Sequence, residues 1–169
     1  MATISAKRQQ ISDELERLEE SARDSAQGQF SQAGRWRRLN FTVGVPTSAL
    51  AAASGATGLA STTGRVWAGV LALAAAVTGS ILTTINAGHR WAKAASAANA
   101  YLEIQTAARQ LRLIDLPDMD IDEARQQLAE LTSRRDEQNK TAEIIAPRAW
   151  KQAQKGLAAG SQDYAVDNI

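Results

Sequence analysis

The sequence VWAGVLALAAAVTGSILTTINAG occupies residues 66–88 and contains no ionisable side chain. Its length of about 23 residues exceeds the roughly 20 that an α-helix needs to cross the hydrocarbon core of a bilayer. A second uncharged stretch, of about 26 residues, lies between Arg38 and Arg65 and is also long enough. We therefore predict two membrane-spanning helices, over residues 39–61 and 66–88.

The two predicted spans are joined by Ser61-Thr62-Thr63-Gly64-Arg65, where small polar residues and a glycine suit a tight reversal. This connection predicts an antiparallel hairpin. The second span is rich in Val, Leu and Ile, whereas the first contains Asn40, Pro46 and many small residues. Small side chains favour close contact between helices rather than contact with lipid. We expect the first span to pack against protein.

Basic residues lie at the outer ends of the hairpin, and the connection carries only Arg65. Because positive charge is retained on the cytoplasmic side, both termini are expected in the cytoplasm of a cell whose inner membrane holds the hairpin. Trp36 and Trp91 lie at this cytoplasmic boundary and Trp67 lies at the opposite one, positions where an indole ring can be half apolar and half hydrated. The residues that we assign to the membrane interface are Arg35, Trp36, Arg37, Arg38, Trp67, His89, Trp91 and Lys93.

Helical periodicity continues on both sides of the hairpin. Residues 1–36 are predicted to form a cytoplasmic segment with an amphipathic helix that ends near Gly28. Residues 89–159 are predicted to form further cytoplasmic helices, and the second span is expected to continue as one helix of about 50 residues to Leu116, because no proline interrupts it. Residues 160–169 are predicted to be disordered.

A third apolar run begins after Asp120, a predicted N-cap, and Pro147 is expected to bend or stop it. The three seams require mutual burial, within one chain or between chains. Each seam repeats at intervals of three and four residues, as in a coiled coil; they comprise Ile4, Ile11, Leu15, Leu18 and Ala22; Ala97, Tyr101, Ile104, Ala108 and Leu111; and Ile121, Ala124, Leu128 and Leu131. The predicted fold is all-α, a transmembrane hairpin with a cytoplasmic helical bundle, forming a single membrane domain over 1–169.

Composition disfavours catalysis. The chain has no cysteine and one histidine, His89, so thiolate chemistry, a histidine metal cluster and a serine-histidine triad are unavailable. Asp118, Asp120 and Asp122 alternate as in a calcium loop, but Glu123 and Ala129 occupy positions that require glycine and glutamate. The net charge of +1 is not typical of a nucleic-acid binder. We expect no enzyme, no catalytic residue, no cofactor, no metal and no direct nucleic-acid partner.

Polar residues within the second span are the remaining functional candidates. Thr83, Asn86 and Arg90 share one helical stripe, and an unpaired amide is costly in lipid. Asn86 must therefore meet water in a pore or a polar group on a neighbouring helix. Both readings remain open, and serine or threonine can also bond to the backbone of its own helix.

The order of these features resembles the SLATT family, the SMODS and SLOG-associating two-transmembrane effectors of bacteria. The resemblance rests on Arg35-Trp36-Arg37-Arg38, the hairpin, the helix over residues 87–112 and the segment 134–147. It implies an antiphage or conflict effector that forms a pore in the inner membrane when a separate sensor, or a protein that makes a nucleotide signal, engages it.

The weak first span and the amphipathic seams also predict a homo-oligomer. Three alternatives remain. A holin-like channel would share the hairpin, a membrane-anchored scaffold would use it only for attachment, and a soluble alanine-rich hairpin would bury it in a larger bundle.

Overall fold

The computed structural model describes the backbone of residues 2–60 and 62–160, with side chains over 5–54 and 66–160. Helices account for the regular structure of these residues, and no strand occurs among them. The elements are α1 (Ala2–Ala60), α2 (Thr62–Ile85), α3 (Ala87–Gln110), a π-helical turn (Leu111–Asp115), α4 (Ile121–Thr141) and α5 (Pro147–Ala158). The all-α prediction is confirmed.

The described residues form two compact units. Unit 1 comprises those of Met1–Gln32 and Lys93–Ile169, and unit 2 is Ala33–Ala92. Unit 2 therefore contains both predicted spans, and unit 1 contains most of the sequence that flanks them. The predicted connection includes Ser61, which lies outside the described residues, as do the side chain of Arg65 and the predicted tail beyond Gly160.

Unit 1 is held by one apolar core to which all three predicted seams contribute. The buried members of the core are Ile11, Leu15, Leu18, Ala22, Ile104, Ala108, Leu111, Leu116, Ala124 and Leu131. Burying a leucine or isoleucine side chain contributes about 1.5 to 3 kcal/mol, so this cluster is the main source of stability in unit 1. Within the single chain that the structure describes, the three seams pack against one another.

The loop between the π-helical turn and α4 is held by side chains. Arg8 donates hydrogen bonds to the carbonyl oxygens of Pro117 and Met119, at 2.8 and 2.9 Å. The Asp120 carboxylate accepts from the Asp122 amide at 2.9 Å, satisfying one of the free amides at the start of α4. The predicted N-cap is confirmed.

The prediction that the first helix ends near Gly28 is wrong, because α1 continues to Ala60. Gly28 instead permits a close approach within unit 1. A Cβ atom at this position would lie 2.6 Å from Cδ1 of Ile145 and 3.4 Å from the ring of Trp150. The glycine therefore reflects the packing of a distant segment on α1 rather than a helix end.

That segment is an extended strap, residues 142–146, between α4 and α5. Two buried glutamines of α1 hold its backbone. Gln29 donates to the carbonyl of Glu143 at 2.9 Å. Gln32 donates to the carbonyl of Ile144 at 3.1 Å and accepts from the amide of Ala146 at 2.8 Å. These bonds replace those that an extended backbone lacks within itself.

The expected effect of Pro147 is also corrected. The helix α4 ends at Thr141, and Pro147 is the first residue of α5. Proline suits the first turn of a helix because the amide it lacks would have no intrahelical partner there and its φ is already helical. Pro147 therefore begins a helix instead of bending or stopping the one before it.

We expect Gly28→Leu to destabilise unit 1 by about 1 to 3 kcal/mol, because its side chain needs space that Ile145 and Trp150 fill. Gly28→Ala should be nearly neutral, since the terminal methyl of Ile145 can shift and alanine favours the helix by about 1 kcal/mol. Thermal unfolding in detergent measures both. Gly34→Leu is the matched control, because no atom lies within 4 Å of a Cβ there; equal losses at both positions would contradict the packing argument.

Candidate membrane site

One segment of the described residues, Val66–Asp115, is long and apolar enough to cross a membrane. Its most apolar window has a mean hydropathy of 1.9, and 11% of that window is buried. The core helix of a soluble protein would be mostly buried. The large apolar side chains that α2 exposes are Val66, Trp67, Val70, Leu73, Val77 and Ile81.

The stretch predicted as the first span does not meet the same criteria among the described residues. Asn40, Pro46 and its many small residues lower its hydropathy, in line with the expected weakness of this span. Phe41 and Val45 nevertheless expose more than half of their surface. The described residues therefore provide one candidate span where the sequence suggested two.

Small and hydroxyl side chains join α1 to α2 within unit 2. Ser54 Oγ donates to the carbonyl of Ala68 at 3.0 Å, and the hydroxyls of Thr47 and Thr78 are 3.0 Å apart. A Cβ added at Gly79 would lie 3.7 Å from Cγ2 of Thr47. As the residue number increases along α1 from Thr47 to Ser54, the number of the α2 partner decreases from Thr78 to Ala68. The two segments therefore run antiparallel at these contacts.

The predicted polar stripe is exposed on the single chain. Thr83, Asn86 and Arg90 are all exposed. The Thr83 hydroxyl donates to the carbonyl of Gly79 at 3.0 Å, the backbone bond that sequence reasoning had kept as an alternative. Arg90 places its guanidinium 4.9 Å from the centre of the Trp36 ring. Two of the three side chains thus have a described contact within unit 2.

Asn86 interrupts the predicted 50-residue helix, which is a further correction. Its φ is 51°, in the left-handed region, so α2 ends at Ile85 and α3 begins at Ala87. Hydrogen bonds still cross the break, from the Asn86 amide to the Leu82 carbonyl at 2.9 Å and from the Arg90 amide to the Asn86 carbonyl at 3.1 Å. After glycine, asparagine is among the residues that adopt this left-handed conformation most readily.

We expect Asn86→Gly to preserve stability, because glycine adopts a positive φ readily. Asn86→Val should lower the unfolding free energy by about 1 to 2 kcal/mol, because a β-branched residue is strained there. Thermal unfolding of the purified protein in detergent checks the pair. Equal stability of the two variants would show that residue 86 does not hold a left-handed conformation in solution.

Two arginines of unit 2 make cation–π contacts with two tryptophans, between α1 and α3. Arg90 of α3 lies over the Trp36 ring of α1, and Arg37 of α1 lies 5.9 Å from the Trp91 ring of α3 and from the Phe41 ring. Exposed cation–π contacts contribute about 0.5 to 1 kcal/mol each. Three predicted interface residues, Trp36, Arg37 and Trp91, and the predicted pore-lining residue Arg90 therefore form two reciprocal pairs.

The other predicted interface residues make no further cluster that the described residues reveal. Arg35, Arg38, His89 and Lys93 are exposed, and Trp67 is exposed on α2. Arg35, Arg38 and His89 belong to unit 2 with the four paired residues, whereas Lys93 begins the second part of unit 1. We call Arg35, Arg38 and His89 the basic collar of unit 2, and all three side chains are exposed.

No protein-family model matches the chain, and no match is found among the curated proteins or the solved structures. Among the residues that the structure describes, no group of three or more His, Cys, Asp or Glu side chains could hold a metal ion. The described geometry that bears on function is therefore the exposed apolar surface, the polar stripe and the collar.

Proposed function

We propose that this protein is a two-span membrane effector that assembles as a homo-oligomeric pore in the bacterial inner membrane. One observation carries the proposal: α2 exposes its large apolar side chains within a stretch of about 23 residues that has no ionisable group. Exposing such a band to water is unfavourable, whereas the acyl chains of a bilayer accept it. The arginines and tryptophans at its cytoplasmic end suit the headgroup region.

The proposed topology is a hairpin with both termini in the cytoplasm. The contacts of Ser54 with Ala68 and of Thr47 with Thr78 support a second span beside α2, in which hydroxyls are satisfied by protein instead of lipid. The excess of arginine and lysine on the outer flanks supports the orientation. Unit 1 is then the cytoplasmic helical bundle.

The proposed pore lining is Thr83, Asn86 and Arg90. All three are exposed on one chain, so neighbouring copies or water can reach them. A buried unpaired amide costs several kcal/mol, and an aqueous path satisfies Asn86 without a dedicated partner. The role as an antiphage effector, triggered by a separate sensor or a nucleotide signal, comes from the resemblance to the SLATT family.

A membrane-anchored scaffold is the second candidate. It is favoured by the core of unit 1, which closes within one chain and so provides a folded module that a partner can bind. Under this alternative the hairpin serves only for attachment, and Asn86 bonds to a neighbouring helix. A holin-like channel is less favoured because such a channel does not require the long helical segment after the second span.

The test is ion release from liposomes that contain the purified protein, with and without cyclic nucleotides. We expect release, and we expect Asn86→Gly and Thr83→Val to change it while insertion and oligomer size stay constant. Asn86→Gly removes the amide without straining the backbone, so it separates lining from folding. Inserted protein that releases no ions under any of these conditions would favour the scaffold.

A further inference from the structure

Helix α5 carries a stripe of positive charge. Arg148, Lys151 and Lys155 are spaced by three and four residues, so they share one side of the helix, and all three are exposed. The helix contains no acidic residue. Its opposite side buries Ala149 and Ala153 against unit 1. The stripe therefore points away from the body to which α5 is attached.

Two apolar side chains with exposed surface lie close to these cations in the sequence. Ile144 of the strap exposes 91% of its surface, and Trp150 exposes 37%. We call Ile144, Arg148, Trp150, Lys151 and Lys155 the α5 patch. Surfaces that lie in the headgroup region of a membrane typically combine basic side chains with an exposed aliphatic side chain and a partly exposed indole ring.

The α5 patch is fixed to unit 1 by its strap. Gln29 and Gln32 bond to the strap backbone, and Gly28 leaves room for Ile145 and Trp150. In the chain, Gln32 lies three residues before Arg35, the first of the three arginines that directly precede the predicted first span. The strap is thus bonded to the part of α1 that comes directly before the predicted membrane boundary.

We propose that the α5 patch binds anionic phospholipid headgroups on the cytoplasmic leaflet, as an interfacial contact separate from the membrane-spanning helices. The proposal rests on the proposed function for the cytoplasmic location of unit 1. Lysine and arginine near a membrane surface are attracted by its negative potential, while Ile144 and the exposed part of Trp150 can enter the boundary between headgroups and acyl chains. A purely electrostatic partner would not require the exposed apolar pair.

The chain has no cysteine, so a single introduced cysteine gives a specific label. Gln154→Cys, at an exposed position of α5, receives an environment-sensitive fluorophore, and Ala129→Cys, exposed on α4, is the control position. Each full-length protein is reconstituted into phosphatidylcholine vesicles with or without phosphatidylglycerol. Quenching by acrylamide, a neutral reagent, reports the exposure of the label.

We expect phosphatidylglycerol to lower the quenching constant at position 154 at least about twofold and to leave position 129 unchanged. Replacing Arg148, Lys151 and Lys155 together with glutamine should abolish this protection. The matched control replaces Lys7, Arg125 and Lys140, which are exposed elsewhere in unit 1, with glutamine. It removes the same charge and should retain the protection.

Inserted protein whose label at position 154 stays equally exposed in both vesicle types would overturn the inference. Protection that is the same in both lipids and grows with protein density would also overturn it, because a second copy would then cover the patch. Insertion is measured separately by resistance to alkaline extraction. Protein that fails to insert but is protected by phosphatidylglycerol would refute the proposed function and leave this inference standing.

Discussion

Replacing Leu73 and Val77 together with aspartate should remove the protein from the membrane. The two side chains lie one helical turn apart on α2 and expose 69% and 59% of their surface. Each change costs about 3 kcal/mol of insertion free energy near the centre of a span. The sum exceeds what the eight aliphatic residues Val66, Val70, Leu71, Leu73, Val77, Ile81, Leu82 and Ile85 contribute, at about 0.3 to 0.6 kcal/mol each. The fraction that resists alkaline extraction should fall more than about tenfold.

The same double change at Leu113 and Ile114 is the control. These residues expose 58% and 66% of their surface in the π-helical turn of unit 1, beyond the predicted span. Exposed positions in water tolerate aspartate at small cost, so this variant should stay inserted. The prediction is contradicted if the Leu73 and Val77 variant also stays in the extraction-resistant fraction. It is equally contradicted if both variants leave that fraction to the same extent, and in either case lipid does not cover α2.

The seams of unit 1 could be predicted because they depend on local periodicity. Apolar residues that recur every three or four positions identify a buried helix face in any context. Ile11, Leu15 and Leu18 were assigned in this way, and all three are in the core. Asp120 was predicted by the same local logic, since an N-cap depends on residues within one turn.

Features that depend on contacts between distant residues could not be predicted. Gly28 suggested a helix end, but its small size serves Ile145, more than a hundred positions later. The bonds from Gln29 and Gln32 to the strap connect segments with a similar separation. Because glutamine is polar, Gln29 and Gln32 add nothing to an apolar periodicity, and the sequence alone does not indicate that they are buried.

The sequence predicted which residues belong to the candidate site, but it did not predict how their side chains are paired. Trp36, Arg37 and Trp91 were predicted at the interface and Arg90 in the pore, but the pairing of Arg90 with Trp36 and of Arg37 with Trp91 depends on which faces of α1 and α3 meet. The break at Asn86 was also missed. Asparagine tolerates a positive φ without requiring it, so the residue type alone could not locate the break.

Leu15→Ala should cause the largest loss of stability in unit 1. Leu15 is completely buried and belongs to the core shared by α1, α3 and α4. Truncating a buried leucine costs about 2 to 5 kcal/mol, through lost transfer energy and the cavity left behind. For a unit of roughly 100 residues this lowers Tm by about 10 °C or more. Leu113→Ala, at an exposed position, should change Tm little.

The dependence of this loss on protein concentration tests how the seams are paired. Because the core closes within one chain, the Tm difference between Leu15→Ala and the unchanged protein should be the same over a wide range of concentrations in detergent. If the seams paired between chains, folding would be coupled to association and Tm would rise with concentration. Leu131→Ala on α4 should behave in the same way, since Leu131 is buried in that core. If instead the Tm difference of both variants changed with concentration, their burial would lie at an interface between copies, and unit 1 would then be folded only within the oligomer.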